Sequence, residues 1–384
     1  MWRHIAANTL TLLIVLVFLT GGAILYGQSQ YNGPGPLAQA MCLKVDRGSN
    51  FSRVSRDLAA QGAISSAPIF RLGVDYGDKS GDLKAGSYLI EPGSSMAEIV
   101  DVVTRGGAST CGTEMVFRIG VTRQEVQLRE LDPQTNRYVE TAAYDPTAED
   151  APAEIAALFD NPADTRIRVA VAEGATSWQI VEGLKSVPVL TGDAEVPAEG
   201  TLAPDSYEVR KGDTVKSVLD RMVAAQERIL AEAWEGRDAD IPLDSPEEAL
   251  ILASIIEKET GVAAERGQVA SVFVNRLRRG MRLQTDPTVI YGITKGQGVL
   301  GRGLRQSELR RATPYNTYVI PALPPTPIAN PGRAAIEAAV NPDSSRFLFF
   351  VADGTGGHAF AETLEQHNRN VAEWRKIEAE RANQ

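Results

Sequence analysis

The chain has 384 residues, of which 43% are hydrophobic and 23% charged, a globular mixture with room for two or three domains at about 100–200 residues each. A net charge of −10, with no basic stripe interleaved with aromatics, argues against a nucleic-acid partner. Three histidines without an H-E-x-x-H motif, and two cysteines far apart, encode neither a zinc peptidase nor a C-x-x-C site, so no metal or cofactor is expected.

Residues 1–4 form a short tail carrying Arg3. Residues 5–27 hold no charge and centre on Leu10, Leu12, Leu13, Ile14, Val15, Leu16, Val17, Phe18 and Leu19. As a helix this stretch is about 34 Å long, enough for a hydrocarbon core of about 30 Å. No Lys or Arg follows until Lys44, so the positive-inside tendency places the N-terminus in the cytoplasm and the bulk of the chain outside or in the periplasm. A single-pass protein of the cytoplasmic (inner) membrane is the expectation. Ala38, Gln39 and Ala40 fit a signal-peptide cleavage site but lie about twenty residues beyond the apolar core, too far for one. Cys42 follows a poor lead-in for a lipid anchor. Residues 28–43 read as a linker, flexible over QSQYNGPGP. For Cys42 and Cys111 two readings stay open, a disulfide in an oxidising compartment or two free thiols.

A short pattern then recurs four times, as a strand end, a glycine turn, a residue able to cap, and a helix with apolar positions six and ten after the glycine. Gly48 leads to Val54 and Leu58, Gly93 to Ile99 and Val103, Gly174 to Ile180 and Leu184, Gly212 to Val218 and Met222. Glycine frees the backbone at each turn, and Ser49, Ser94, Ala175 and Asp213 occupy the position after it. Irregular spacing argues against a solenoid. The first two copies fall in a small α+β module over 44–111, which resembles the LysM-like domain, a fold associated with glycan chains; the alternative is a spacer that binds nothing. Residues 112–165 read as a variable insertion, acidic and Pro/Ala-rich at 147–152 and 160–164, with one strand near 115–119 and peripheral or partly disordered structure elsewhere.

From 166 to 384 the pattern is denser. A helix is expected over 214–235, another over 245–260, a third over 264–279 with Val269, Val272, Phe273 and Leu277 inward, a short one starting at Pro287, then a Pro-rich loop, a helix over 334–340, a buried strand at 347–351 and a closing helix bearing Trp374. The 245–260 helix starts with Ser245, Pro246 and Glu248 as a capping box. At about 100° per residue, Leu252, Ile255 and Ile256 centre on the direction of Glu259, while Leu250, Ser254 and Glu257 lie on the far side. Glu257 is therefore expected to be a solvated charge and Glu259 to be driven inward. A desolvated carboxyl has a raised pKa and stays protonated near neutrality, as a general acid requires. The competing account is a salt-bridge or rim carboxylate.

The runs EKET (257–260), ASVFVNRL (270–277) and MRLQTDPTVIYG (281–292), with PDSY (204–207), TPYNTY (313–318), LPP (323–325), NPG (330–332) and FFVADG (349–354) before His358 and Phe360, resemble the YceG-like endolytic murein transglycosylases. The resemblance covers roughly 165–375, and more weakly the anchor and LysM-like region. It implies a mixed α/β catalytic domain with the catalytic Glu on a helix, and a lyase that cuts peptidoglycan strands between N-acetylmuramic acid and N-acetylglucosamine, leaving 1,6-anhydro ends and terminating nascent strands near the penicillin-binding synthases. The family's glutamate falls on Glu259. One acid suffices because the sugar's own C6 hydroxyl is the nucleophile. Glu259 protonates the leaving oxygen, then accepts the hydroxyl's proton. Gln284, Thr285 and Asp286 are candidates to bind the N-acetyl group or orient Glu259, although Asp286 also suits a helix cap. Asn316 and Tyr318 are candidates to line the sugar groove, or a structural turn, and Asp205 to contact substrate. His358 divides evenly between packing and substrate contact. Leu202 and Ala203 replace aromatics common in the family, and Ala322 and Thr326 replace glycines, which bears on subsite stacking and loop shape. Two alternatives stand beside the lyase. One is a muramidase-type hydrolase in which Asp205 or Asp286 positions water; the other is a non-catalytic glycan-binding scaffold for the synthases.

Overall fold

The computed structural model describes residues 2–46, 48–105, 111–147, 151–160 and 165–382. The protein is a mixed α+β chain in two compact units. One comprises Met1–Met115, Gln127–Ala143 and Ala151–Arg166, the other Val116–Val126, Tyr144–Asp150 and Ile167–Gln384.

The first unit opens with helix α1 (Trp2–Asn32), of which Leu10–Asn32 is long and apolar enough to cross a membrane; its most apolar window has a mean hydropathy of 2.3 and is not buried in the protein. The helix runs on through residues expected to be a flexible spacer. Tyr31 packs against the apolar core of the unit and presses its ring onto Gly73, where any side chain would collide. Ser65 Oγ donates to Gln30 Oε1 at 2.8 Å, Gly35 N–H donates to Gly93 O, and Gly93 N–H donates to Leu37 O. Apolar contact and satisfied backbone groups together fix the segment. Strand β1 (Met41–Val45) pairs antiparallel with β2 (Gly86–Ile90), Met41 opposite Ile90. Helices α2 (Phe51–Ala60) and α3 (Ala67–Tyr76) lie between them in sequence and α4 (Met96–Arg105) follows. Cys42 and Cys111 form a disulfide with Cα atoms 5.6 Å apart, which decides the question the spacing left open.

The stretch read as a peripheral insertion is a meander of three strands, β3 (Thr113–Ile119), β4 (Gln124–Asp132) and β5 (Arg137–Tyr144). They join β6 (Thr165–Val171) and β7 (Ser206–Val209) in one sheet of order β5-β4-β3-β6-β7, and helix α5 (Ala153–Asp160) follows β5. Charged residues facing outward along β4 and β5 hid the alternation that marks a half-buried strand. Parts of the two acidic stretches, residues 148–150 and 161–164, lie outside the described residues.

All four glycine turns have the expected form. Gly48, Gly93, Gly174 and Gly212 take φ values of 77°, 73°, 77° and 106°, a region costly for any residue with a Cβ. The eight apolar positions six and ten residues on are all buried, none more than 2% exposed. The caps lie one position later than expected: Asn50, Ser95, Thr176 and Thr214 accept from the first turns of α2, α4, α6 (Ser177–Lys185) and α7 (Val215–Glu235).

The second unit is built around helix α8 (Pro246–Glu259), covered by α7, α9 (Arg266–Arg278), α10 (Asp286–Thr294) and α12 (Arg333–Val340). Every residue from Ala249 to Ile256 is buried, including Leu250 and Ser254, so the helix has no solvated flank. Ser254 makes this tolerable by donating to Ile251 O and accepting Ile328 N–H. The capping box at its start is half formed: Ser245 accepts Glu248 N–H, but the Glu248 carboxylate reaches past it to Asp244 N–H at 2.8 Å. A short helix α11 (Gln306–Arg310), the hairpin β8 (Phe349–Ala352) with β9 (His358–Ala361), and α13 (Leu364–Ala382) complete the unit. Phe273 of α9 meets Phe350 edge-on at 5.8 Å, tying the hairpin to the helical core.

Candidate active site

Glu259 ends α8, where the last carbonyls and the negative end of the helix dipole already disfavour a second negative charge. Burial pushes its carboxyl well above the ordinary range, and the nearby Asp286 charge adds to this. The Thr285 hydroxyl, His358 and Arg276 pull the other way. Among the described residues the carboxylate accepts one hydrogen bond, from Thr285 Oγ1 to Oε1. It is enclosed yet not sealed, because it lines two cavities. One, of about 270 Å³, is walled by Thr260, Gly354, Gly357, His358, Trp374 and Arg381 among others. The other, of about 180 Å³, is walled by Arg276, Leu283, Gln284, Asp286, Tyr318 and Phe350. A half-desolvated acid open on both sides can hold a proton and deliver it to a bond lying across it.

Glu257 departs from expectation. It is half-buried, its carboxyl is also pushed up by burial, and its Oε2 accepts Gly332 N–H at 2.9 Å at the start of α12. Because α8 is covered all round, two residues along the helix do not separate a wet face from a dry one. What separates the two glutamates is their partners: Glu257 is tied to a helix N-terminus, Glu259 faces open space.

The QTD segment is held under Glu259 by a lattice of threonines. Thr285 sits at the N-cap of α10, yet its hydroxyl makes no cap bond and goes to Glu259 instead. Its backbone is locked from the other side: Thr285 N–H donates to Thr317 Oγ1 at 3.0 Å, and Thr288 Oγ1 donates to Thr285 O at 2.8 Å. Gln284 takes φ of 53°, and its N–H donates to Thr317 O. Asp286 occupies the first turn of α10 rather than the cap, and its Oδ1 accepts the Tyr318 hydroxyl at 2.7 Å. Burial and that bond raise the Tyr318 pKa, so Tyr318 is a proton donor to Asp286 and not a phenolate.

Asn316 does not line a groove. It is fully buried, and its side-chain N–H group serves the carbonyls of Glu308, Leu309 and Arg311 at 2.7–3.0 Å, capping the end of α11, while its Oδ1 accepts Tyr318 N–H. Its contribution is to aim Tyr318. Asp205 stands apart: it is exposed at the start of β7, accepts Ser206 N–H, and lines neither cavity. Leu202 and Ala203 are core residues at 0% and 1% exposure, so their lack of aromatic rings costs no stacking surface. Ala322 takes φ of 58°, the left-handed turn a glycine would adopt freely.

One cationic group at the site, Arg276, escaped the sequence reading, and His358, left there between packing and substrate contact, finds a partner. Arg276 is 7% exposed, donates from Nε to Leu348 O at 2.7 Å and from Nη1 to Leu283 O at 2.6 Å, and lies over the Phe349 ring at 5.3 Å. It stands on the same inward stripe as Val269, Val272 and Phe273, the signal that picked out Glu259. His358 is gripped by Glu265, which accepts both His358 N–H and Nδ1, each at 2.9 Å. Among the described residues no group of three or more His, Cys, Asp or Glu side chains is placed to hold a metal ion.

The sequence matches the profile of the YceG-like family over residues 43–137 and 113–373. It is 30% identical over 352 residues to a Bacillus subtilis protein named endolytic murein transglycosylase, covering 91% of this chain and 89% of that one. A Streptococcus pneumoniae protein of the same name is 29% identical over 381 residues, covering 96% of this chain and 65% of the relative. The crystal structure of a YceG-like protein of Listeria monocytogenes is 25% identical, covers 86% of this chain and 98% of that one, and superposes with a TM-score of 0.43. With a family profile matched over most of its length, the chain belongs to the YceG-like family.

Proposed function

We propose that the protein is a membrane-anchored endolytic lytic transglycosylase that cleaves the bond between N-acetylmuramic acid and N-acetylglucosamine inside peptidoglycan strands. The observation that carries this is the Glu259 carboxyl, its pKa raised by burial, between two cavities. A glycan lying through both places an internal bond over one acid. Glu259 gives its proton to the leaving oxygen, the muramyl C6 hydroxyl closes on C1, and Glu259 recovers a proton from that hydroxyl, so no second enzymic nucleophile is needed. Thr285 orients the acid. Asp286, Tyr318 and Gln284 line the smaller cavity, where their polar groups suit a sugar's hydroxyl and acetamido groups.

The apolar N-terminal helix supports anchoring in the cytoplasmic membrane with the second unit on the outer face. Two helices between paired antiparallel strands support the LysM-like reading of 44–111 and a glycan contact there. Strand termination beside the peptidoglycan synthases follows from that location. Mass spectrometry of digested glycan tests the proposal, since products lacking the 1,6-anhydro ring would sink it. Asp286 beside Glu259 favours a second reading, a hydrolase with Asp286 positioning water; solvent 18O in the new reducing ends would select it. A non-catalytic scaffold predicts that Glu259→Gln leaves cellular function intact.

A further inference from the structure

The mechanism above leaves unused a carboxylate–imidazole pair in the larger cavity. Glu265 lies just before α9, and its two carboxylate oxygens divide their work: Oε1 accepts the backbone N–H of His358 and Oε2 accepts Nδ1. Gly357 makes the approach possible, because a Cβ there would strike Glu265 Oε1. The imidazole is further confined by Phe350, edge-on at 5.2 Å, and by Phe360 at 6.3 Å. Both side chains are under 20% exposed. A carboxylate facing Nδ1 holds the proton there, which in the neutral imidazole leaves Nε2 as the acceptor. Among the described residues Nε2 has no protein partner, and His358 lines the same cavity as Glu259. An imidazole held by a carboxylate on the wall of a cavity that an acid of raised pKa also lines is an arrangement by which a hydroxyl is activated.

We propose that His358, held by Glu265, is a second proton-handling residue, which takes the proton of the muramyl C6 hydroxyl as that oxygen closes on C1. The inference rests on the transglycosylase reading and supplies the route of its second proton. The glycosidic C1–O bond breaks with its electron pair on the leaving oxygen, which takes the Glu259 proton. The O6 lone pair forms the C1–O6 bond, and the O6 proton passes to His358 Nε2. The resulting imidazolium, stabilised by Glu265, returns that proton to the Glu259 carboxylate, and both groups are restored with no net gain or loss.

The test uses the full chain in detergent with purified glycan strands. His358→Asn is expected to lower kcat by about a hundredfold, the usual contribution of one general base, with KM nearly unchanged. Glu265→Gln is the sharper variant. The backbone N–H of His358 claims the amide oxygen, so the amide NH₂ faces Nδ1 and drives the proton to Nε2, where it blocks acceptance. The fold should persist, kcat should fall at least tenfold, and 15N shifts of the imidazole should report the exchanged tautomer. A rise in KM with kcat intact in both variants would make His358 a sugar-binding group only, and unchanged kinetics would remove it from the site; either overturns the proposal. Wild-type products lacking 1,6-anhydro ends would instead refute the transglycosylase reading, so the two failures are distinct.

Discussion

Replacing Thr285 by valine deletes the one hydroxyl that donates to the Glu259 carboxylate and leaves the shape of the site nearly unchanged. Thr285 is 2% exposed, and its other bonds are made by backbone: its N–H donates to Thr317 Oγ1 and its carbonyl accepts Thr288 Oγ1, and both survive the change. The Thr285 hydroxyl favours the charged form of Glu259, against the larger effect of burial. A hydrogen bond to a charged group contributes about 1.5–3 kcal/mol, and about 1.4 kcal/mol corresponds to one pKa unit. Removing it should therefore raise the Glu259 pKa further. A general acid works while protonated, and the alkaline fall of kcat reports its pKa in the complex, so that fall should move to higher pH in Thr285→Val. The plateau rate should drop at the same time, by about tenfold to a hundredfold, because the carboxyl loses its orientation. Measuring anhydro-muropeptide release across pH, with Thr285→Ser as the variant that keeps the donor, checks both effects. An alkaline limb that stays in place or moves to lower pH would refute the account of how Thr285 acts on Glu259.

Glu259→Gln should abolish cleavage and yet stabilise the protein at neutral pH. The folded-state pKa of Glu259 lies above its unfolded value, so its favourable contribution is present below the unfolded pKa and is lost as pH rises through the folded one. The gain should therefore appear near pH 7.5 and vanish near pH 4, read by thermal melts at about 2–4 °C per kcal/mol. Asn316→Ala should unsettle the end of α11 and the aim of Tyr318, costing about 1–3 kcal/mol for the unpaired buried carbonyls, with a fall in activity that denaturant melts and kinetics resolve together. Cys42→Ser opens a disulfide whose ends are 69 residues apart, which should destabilise the first unit by about 4 kcal/mol; the matching loss in wild type under reductant checks it. Ala322→Gly should raise stability by about 0.5–1 kcal/mol, since it relieves a left-handed alanine at some entropic cost.

The parts of the fold that could be read from sequence were those with a local physical cause. Each glycine turn needed a left-handed residue, and each following helix needed apolar side chains six and ten positions on; Val54, Ile99, Ile180 and Val218 were visible for that reason. The caps were misplaced by one residue because hydroxyl and amide side chains crowd these turns and the backbone alone decides which becomes the N-cap. Of the meander only β3 was visible, near the strand expected at 115–119, and outward charges on Glu130 and Glu140 conceal the alternation of β4 and β5. On α8 the pattern placed Glu259 inward, where burial finds it, but read Glu257 as solvated, since one helix's periodicity cannot register the α12 turn that covers the other flank. Asn316 was recognisable as a polar residue in a distinctive run, but only its three carbonyl partners show that it supports the site from behind. Arg276 was legible by the reasoning that selected Glu259, and the Glu265–His358 pair was not, because 93 residues separate its members.

Helix α1 gives the first unit a strut where a tether was expected. It continues five residues, about 7 Å, beyond the apolar stretch that ends at Gly27, and Tyr31 and Gln30 fix that end to the module. A tether would let the first unit sweep a volume that widens with linker length; a strut gives it one height and one bearing relative to the apolar helix. Where α1 spans a bilayer as proposed, lengthening or shortening it by a few residues would raise or lower the module and rotate it by about 100° per residue. In that setting the length and phase of α1 would set the module's depth as well as its attachment.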